Sequence, residues 1–207
     1  MAAGGKIGMI PVLAVEDSGA ALRHLTQVLG LVAEDAATAR FGDQRIRLCP
    51  LGALPQGLIR LRLDHVALGI ADADRQQGRL LARGARLSGR FTPDGPAEIA
   101  AFWENGVRYV FFDGPEGWPV EFCARIGHPD AGRGHDHLAI RTEDLDGTEA
   151  MLGRLGAGRI ARHLLAGDVA PVEVRFLSRG GTVFELFDEP PVMPDPGEAG
   201  WIGLLPD

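Results

Sequence analysis

Cysteine, positive charge and long apolar runs are all scarce in this chain, and each scarcity excludes something. Two cysteines, Cys49 and Cys123, stand among 207 residues. They cannot build a disulfide framework or a cysteine-rich zinc site, and each reads as a buried strand residue. Uncharged apolar stretches fall well short of the ~18 residues that cross a bilayer. Basic residues number 21 against 28 acidic ones, a net charge of −7. Nucleic acid and anionic membrane both need a clustered positive field, and the arginines here are scattered. The N-terminal stretch Met1–Lys6 carries no apolar segment of secretory type. The chain therefore reads as soluble and cytoplasmic, with neither nucleic acid nor membrane as its partner. Gly114 and Gly117 belong to a turn, and no phosphate-loop spacing supports a nucleotide role.

What is present is globular composition, 45% hydrophobic and 24% charged. At about 150 residues per domain, the length suits one large domain or two small ones. A pattern recurs three times: a short apolar strand, an acidic turn, an amphipathic helix ending at glycine, then further strands. The first copy opens at Ile10–Asp17 and its helix runs from Ser18 to Leu29, before Gly30. The second opens at Asp64–Asp72 with a helix to Arg83, and the third at Asp136–Asp144 with a helix to Leu155. Asp17 or Ser18, Asp72 or Asp74, and Thr142 or Asp144 can cap the three helices.

Each later copy ends in two strand-like runs around a short turn, which reads as a hairpin. These are Val107–Phe112 with Trp118–Cys123, and Val172–Leu177 with Thr182–Phe187. The spacing divides the chain into residues 7–60, an abbreviated βαβ-type unit, then βαβββ units at 61–126 and 134–189, then an irregular tail at 190–207. The second copy carries an insertion, Arg90 to Gly106, in which Pro96–Glu104 has the composition of a short helix. In the tail, Trp201 and Ile202 offer an anchor to the body or to a partner chain.

A histidine opens the first strand of the second and third copies, His65 and His137, and a glutamate sits in the last strand, Glu121 and Glu185. The histidine-to-glutamate spacing is longer in the second copy by about the length of its insertion. Each glutamate interrupts an apolar strand, and an ionised carboxylate facing a sheet interior is costly unless compensated. A divalent metal compensates it, and imidazole with carboxylate suits zinc, nickel, iron(II) or manganese. A single residue of this kind is more often structural. The in-register repetition argues for one site, formed if the second and third copies pair within the chain. Pairing the first with the second would instead leave the third to meet a second subunit. Strand edges of an unpaired copy point to a homodimer.

The runs Asp64-His-Val-Ala-Leu68, Asp136-His-Leu-Ala-Ile140, Tyr109–Glu121 and Phe176–Glu185 resemble the vicinal oxygen chelate superfamily, which includes glyoxalase I, extradiol dioxygenases and bleomycin-resistance proteins. That resemblance implies an α+β fold of tandem βαβββ units in a cupped mixed sheet with helices outside. It implies His65, Glu121, His137 and Glu185 as metal ligands, with Glu121 and Glu185 available for proton transfer in a glyoxalase-type lyase or isomerase. It also admits a ring-cleaving iron(II) dioxygenase, or a metal-free protein that binds an antibiotic or other small molecule. The first copy departs from the pattern, with Ile10 or Pro11 at the histidine position and Arg47 or a neighbouring leucine at the glutamate position.

Further candidates carry two readings each. Arg141 either holds an anionic substrate or pairs at the surface with Glu143 or Asp144. Phe102 and Trp103 either line the pocket or fill a core. His135 shares a strand face with His137 by simple alternation, or sits in a turn. Arg108 and Arg175 occupy corresponding strands and read as solvated, and His24, His128 and His163 as structural or exposed.

Overall fold

The computed structural model describes residues 8–128, 134–167, 170–190 and 199–206. Met1–Lys6 and residues 191–198 of the tail lie outside them. The first repeat comprises β1 (Met9–Val15), α1 (Ser18–Arg23, continuing as a π-helical turn His24–Val28), β2 (Val32–Asp35), β3 (Thr38–Phe41) and β4 (Gln44–Pro50). A two-residue strand, β5 (Ile59–Arg60), leads to the second repeat. That repeat has β6 (His65–Gly69), α2 (Ala73–Leu81), β7 (Ala97–Ile99), β8 (Val107–Asp113) and β9 (Pro119–Arg125). The third has β10 (Gly134–Thr142), α3 (Leu145–Arg154), β11 (Gly158–Leu165), β12 (Val172–Arg179) and β13 (Thr182–Asp188), and β14 (Gly200–Pro206) follows.

The class is α+β, a curled sheet with few helices. Asp17, Asp72 and Asp144 cap the three helices, each accepting a backbone N–H three residues on. Among the described residues no helix is long and apolar enough to cross a membrane.

Two sheets form. The larger has the order β11-β12-β13-β10-β6-β9-β8-β7, so the second and third repeats share it. Its centre is the antiparallel pair β6 and β10, flanked by β9 parallel to β6 and β13 parallel to β10. The glutamate strands therefore lie directly beside the histidine strands. The smaller sheet has the order β2-β3-β4-β1-β14-β5.

Three expectations change. The first repeat is not cut down to βαβ: three strands follow its helix, and the exposed residues of β2 pair with β3 despite lacking any apolar alternation. Pro96–Glu104 is not a helix: β7 pairs Ala97 with Tyr109 and Ile99 with Val107, and tertiary pairing overrides the local alanine and glutamate content. The tail is not irregular throughout. β14 runs antiparallel to β1 and buries Trp201, whose indole N–H donates to the Pro119 carbonyl at 3.1 Å.

β14 also repeats β10 in detail. In β10 the register against β6 skips Asp136, between His135 opposite Leu68 and His137 opposite Ala67. In β14 the register against β1 skips Ile202, between Trp201 opposite Leu13 and Gly203 opposite Val12. With the parallel pairs Val12–Arg47 and Ala67–Glu121, the strands β4-β1-β14 align residue for residue with β9-β6-β10, and the match ends at β14, because β5 runs antiparallel to β14 where β13 runs parallel to β10. Ile10, Arg47 and Gly203 then occupy the places of His65, Glu121 and His137. The smaller sheet keeps the scaffold and lacks the chemistry.

One contiguous apolar core joins both sheets and the helices, with Leu13, Leu25, Phe112, Phe122, Phe184 and Trp201 among its fully buried side chains. Arg108 and Arg175 are not simply solvated. Arg108 pairs with Asp74 of α2, and Arg175 with Asp146 and Glu149 of α3, so each ties a helix to a strand in its own repeat.

Candidate metal centre

His65 and His137 enter from adjacent antiparallel strands, and Glu121 and Glu185 from the strands outside them. All four are at least 95% buried. The structure brings them to one point. His65 Nε2 lies 2.9 Å from Glu121 Oε2 and 3.4 Å from His137 Nε2. His137 Nε2 lies 2.7 Å from Glu185 Oε2 and 3.3 Å from Glu121 Oε2. His65, His137 and Glu185 offer three ligand atoms within 4.8 Å of one another.

The outer nitrogens are already engaged. His65 Nδ1 is 2.9 Å from Asp64 Oδ2, and His137 Nδ1 is 2.9 Å from Asp136 Oδ1. A carboxylate only accepts, so Nδ1 carries the proton and donates it. The Nε2 atoms of both rings then converge on each other and on two carboxylates, an arrangement that favours positive charge between them. Protons on both Nε2 atoms, 3.4 Å apart, would face each other. A divalent cation held by His65, His137 and Glu185 beside Glu121 would meet these groups, so the donor set fits one.

The electrostatics point the same way. Burial pushes both imidazoles toward the neutral form, but the surrounding carboxylates outweigh it. Asp64 and Glu121 raise His65, while Glu185 and Glu121 lift His137 well above the usual imidazole value. Burial would raise Glu121, but His137 and His65 more than reverse this and hold it at about 2.

Above the centre lies a cavity of about 290 Å³. Its wall is aromatic, from Phe91, Phe102, Trp103, Tyr109, Phe111 and Phe176. Phe111 presents its ring edge-on to His65, with centroids 4.7 Å apart. The insertion supplies Phe102 and Trp103. Phe102 is 3% exposed and meets Phe176 at 5.1 Å, so it both lines the cavity and fills a small core. Trp103 is held in left-handed backbone (φ 54°), with the Arg125 guanidinium 4.2 Å above its ring.

Arg141 lines the cavity but does not pair with Glu143 or Asp144. It meets Glu189 and Asp64 and stacks over Phe187 at 4.9 Å. His135 does not share the face of His137, because the bulge at Asp136 breaks the alternation. Its ring instead contacts Gln44 of the smaller sheet and accepts the Val183 N–H at 2.9 Å. Burial holds it neutral, at about 4. Sequence reasoning assigned no role to Asp64, Asp136 or Arg125. The aspartate before each histidine in the two repeats was the available signal for the first two.

The fold is the βαβββ glyoxalase-type fold. No protein-family model and no curated protein sequence matches the chain. Among solved structures, glyoxalase I from Zea mays superposes with a TM-score of 0.64 at 16% identity, covering 94% of this chain and 71% of that one. A candidate dioxygenase from Bacillus subtilis subsp. subtilis str. 168 gives 0.60 at 20% identity, covering 95% and 68%. A variant of 4-hydroxymandelate synthase from Streptomyces coelicolor gives 0.55 at 17% identity, covering 89% and 71%. At these identities the likeness is one of fold.

Proposed function

We propose that this protein is a divalent-metal-dependent enzyme acting on a small oxygenated metabolite by proton transfer, in the manner of a glyoxalase-type lyase or isomerase. The observation that carries the reading is the convergence of the two Nε2 atoms on Glu121 and Glu185 while Asp64 and Asp136 hold Nδ1. Zinc, nickel, iron(II) or manganese, if held there, would supply Lewis acidity to an oxygenated substrate. His65, His137 and Glu185 are the ligand set, and Glu121 is the proton carrier. Its Oε2 takes the proton from a hydroxyl-bearing carbon next to a carbonyl and returns it to the former carbonyl carbon while the hydroxyl proton passes to the former carbonyl oxygen, so atoms balance without a co-reactant. The aromatic wall excludes water while the proton is held. A cavity of about 290 Å³ suits a compact substrate.

A second reading has its own support. Two histidines and one carboxylate also form the ligand pattern of iron(II) oxygenases. The test begins with metal analysis of protein purified without chelators. About one transition metal per chain is expected, lost in His137→Ala and Glu185→Ala. Less than about 0.1 per chain, unchanged by these substitutions, overturns both enzymatic readings in favour of metal-free binding. Solvent-deuterium incorporation into small α-hydroxycarbonyl compounds, abolished by Glu121→Gln, supports proton transfer. Iron(II)-dependent oxygen uptake without such incorporation supports the dioxygenase instead.

A further inference from the structure

The geometry points to Asp64 and Asp136 as positioning residues of the metal centre, each fixing the histidine that follows it and each clamped by an arginine from the other repeat. This rests on the metal-centre reading above.

Neighbouring residues of a regular strand point to opposite faces, so an aspartate does not ordinarily reach the ring beside it. Two local irregularities allow it here. Asp136 is the residue skipped in the β10 register, and Asp64 sits just before β6 with its N–H donated to the Ala139 carbonyl at 2.8 Å. Both carboxylates curl toward the site, are no more than 6% exposed, and receive Nδ1–H at the same 2.9 Å. A bulge that re-aims one side chain beside a site is a recurrent device.

The clamps are crossed. Arg141 of β10 places Nε 3.4 Å from Asp64 Oδ1, and Arg125 of β9 places Nε 3.4 Å from Asp136 Oδ2. Asp64 Oδ1 and Arg141 Nε form no hydrogen bond with any described residue and face each other across this ion pair. Each arginine also lies over an aromatic ring beside the cavity, Arg141 over Phe187 and Arg125 over Trp103. Two chains of contact thus run from aromatic wall through guanidinium and carboxylate to an imidazole, one for each ligand. A carboxylate behind a metal-binding imidazole sets its tautomer and orientation and raises its basicity.

The experiment titrates chelator-stripped protein with cobalt(II), read by visible absorption, and with zinc(II) by competition against a chromophoric chelator. Asp64→Asn and Asp136→Asn should each weaken affinity by about 10–100-fold, with circular dichroism unchanged. Folded variants that bind as wild type does overturn the inference and leave the metal centre standing. Wild-type protein that takes up neither ion removes the centre and the inference together. A direct readout on wild type covers variants that fail to fold. Long-range ¹H–¹⁵N spectra of the zinc-loaded protein should show both histidines protonated at Nδ1 and coordinated through Nε2, and coordination through Nδ1 at either one refutes the assignment.

Discussion

Truncating Phe102 tests whether the insertion is part of the site or an excursion beside it. The ring is 3% exposed, meets Phe176 edge-on at 5.1 Å and lies 5.3 Å from His163 on β11. It therefore spans from the second repeat to the third. Phenylalanine-to-alanine changes in a core cost about 3–5 kcal/mol. Space left by Phe102 would merge with the existing cavity and admit water, which places Phe102→Ala at the lower end, about 3 kcal/mol. For a chain of this length that lowers Tm by roughly 6–12 °C. Urea unfolding measures the loss. Acrylamide quenching of tryptophan fluorescence reports the local effect, because Trp118 and Trp201 are buried and the neighbouring Trp103 is only partly so. Quenching should rise in Phe102→Ala and much less in Phe102→Leu. A stability loss below about 1 kcal/mol with unchanged quenching would show that the insertion does not pack across the cavity.

Trp201→Ala should cost about 3–5 kcal/mol by urea unfolding, since the indole is 1% exposed and its bond to the Pro119 carbonyl goes with it. A cost near zero would remove β14 from the core. Acid should destabilise metal-stripped protein through Glu121, whose carboxyl is held at about 2 against an ordinary 4.5. The folded form then binds a proton less readily than the unfolded, so the contribution is complete above about pH 4.5 and fades as pH falls toward 2, about 3 kcal/mol in all. The raised histidines carry the opposite sign: their contribution is complete below their ordinary 6.5 and is lost as pH rises through the raised values. Urea midpoints across pH should trace both limbs, and Glu121→Gln should flatten the acid one. An acid limb unaffected by that substitution refutes the assignment.

Much of the fold was legible because the chain repeats itself. A strand, a capped helix and a hairpin recur, and the positions of His65, Glu121, His137 and Glu185 within the repeats are enough to bring the four groups into one candidate set. What stayed hidden was set by partners remote in sequence. β7 has helical composition and is a strand only because β8 lies beside it. β14 contains two glycines amid proline-rich sequence and takes its form from β1. The orientation of His135 depends on a one-residue bulge, which no alternation pattern signals. Arg141 is spoken for by Asp64 and Glu189, and neither pairing follows from strand spacing. β14 covers one side of β1 within the same chain, which leaves β2 and β5 as the edges of the smaller sheet.

The pairing of β14 with β1 also sets an order of events during synthesis. β1 emerges first and finds β4 soon afterwards, but its other neighbour is made nearly a whole chain later. At about 5–20 residues per second, that delay is roughly 10–40 s. Throughout it, one side of an apolar strand has no backbone partner and is open to strands of other nascent chains. The smaller sheet, which holds no candidate ligand, can thus close around β1 only after the larger sheet's strands have all been made.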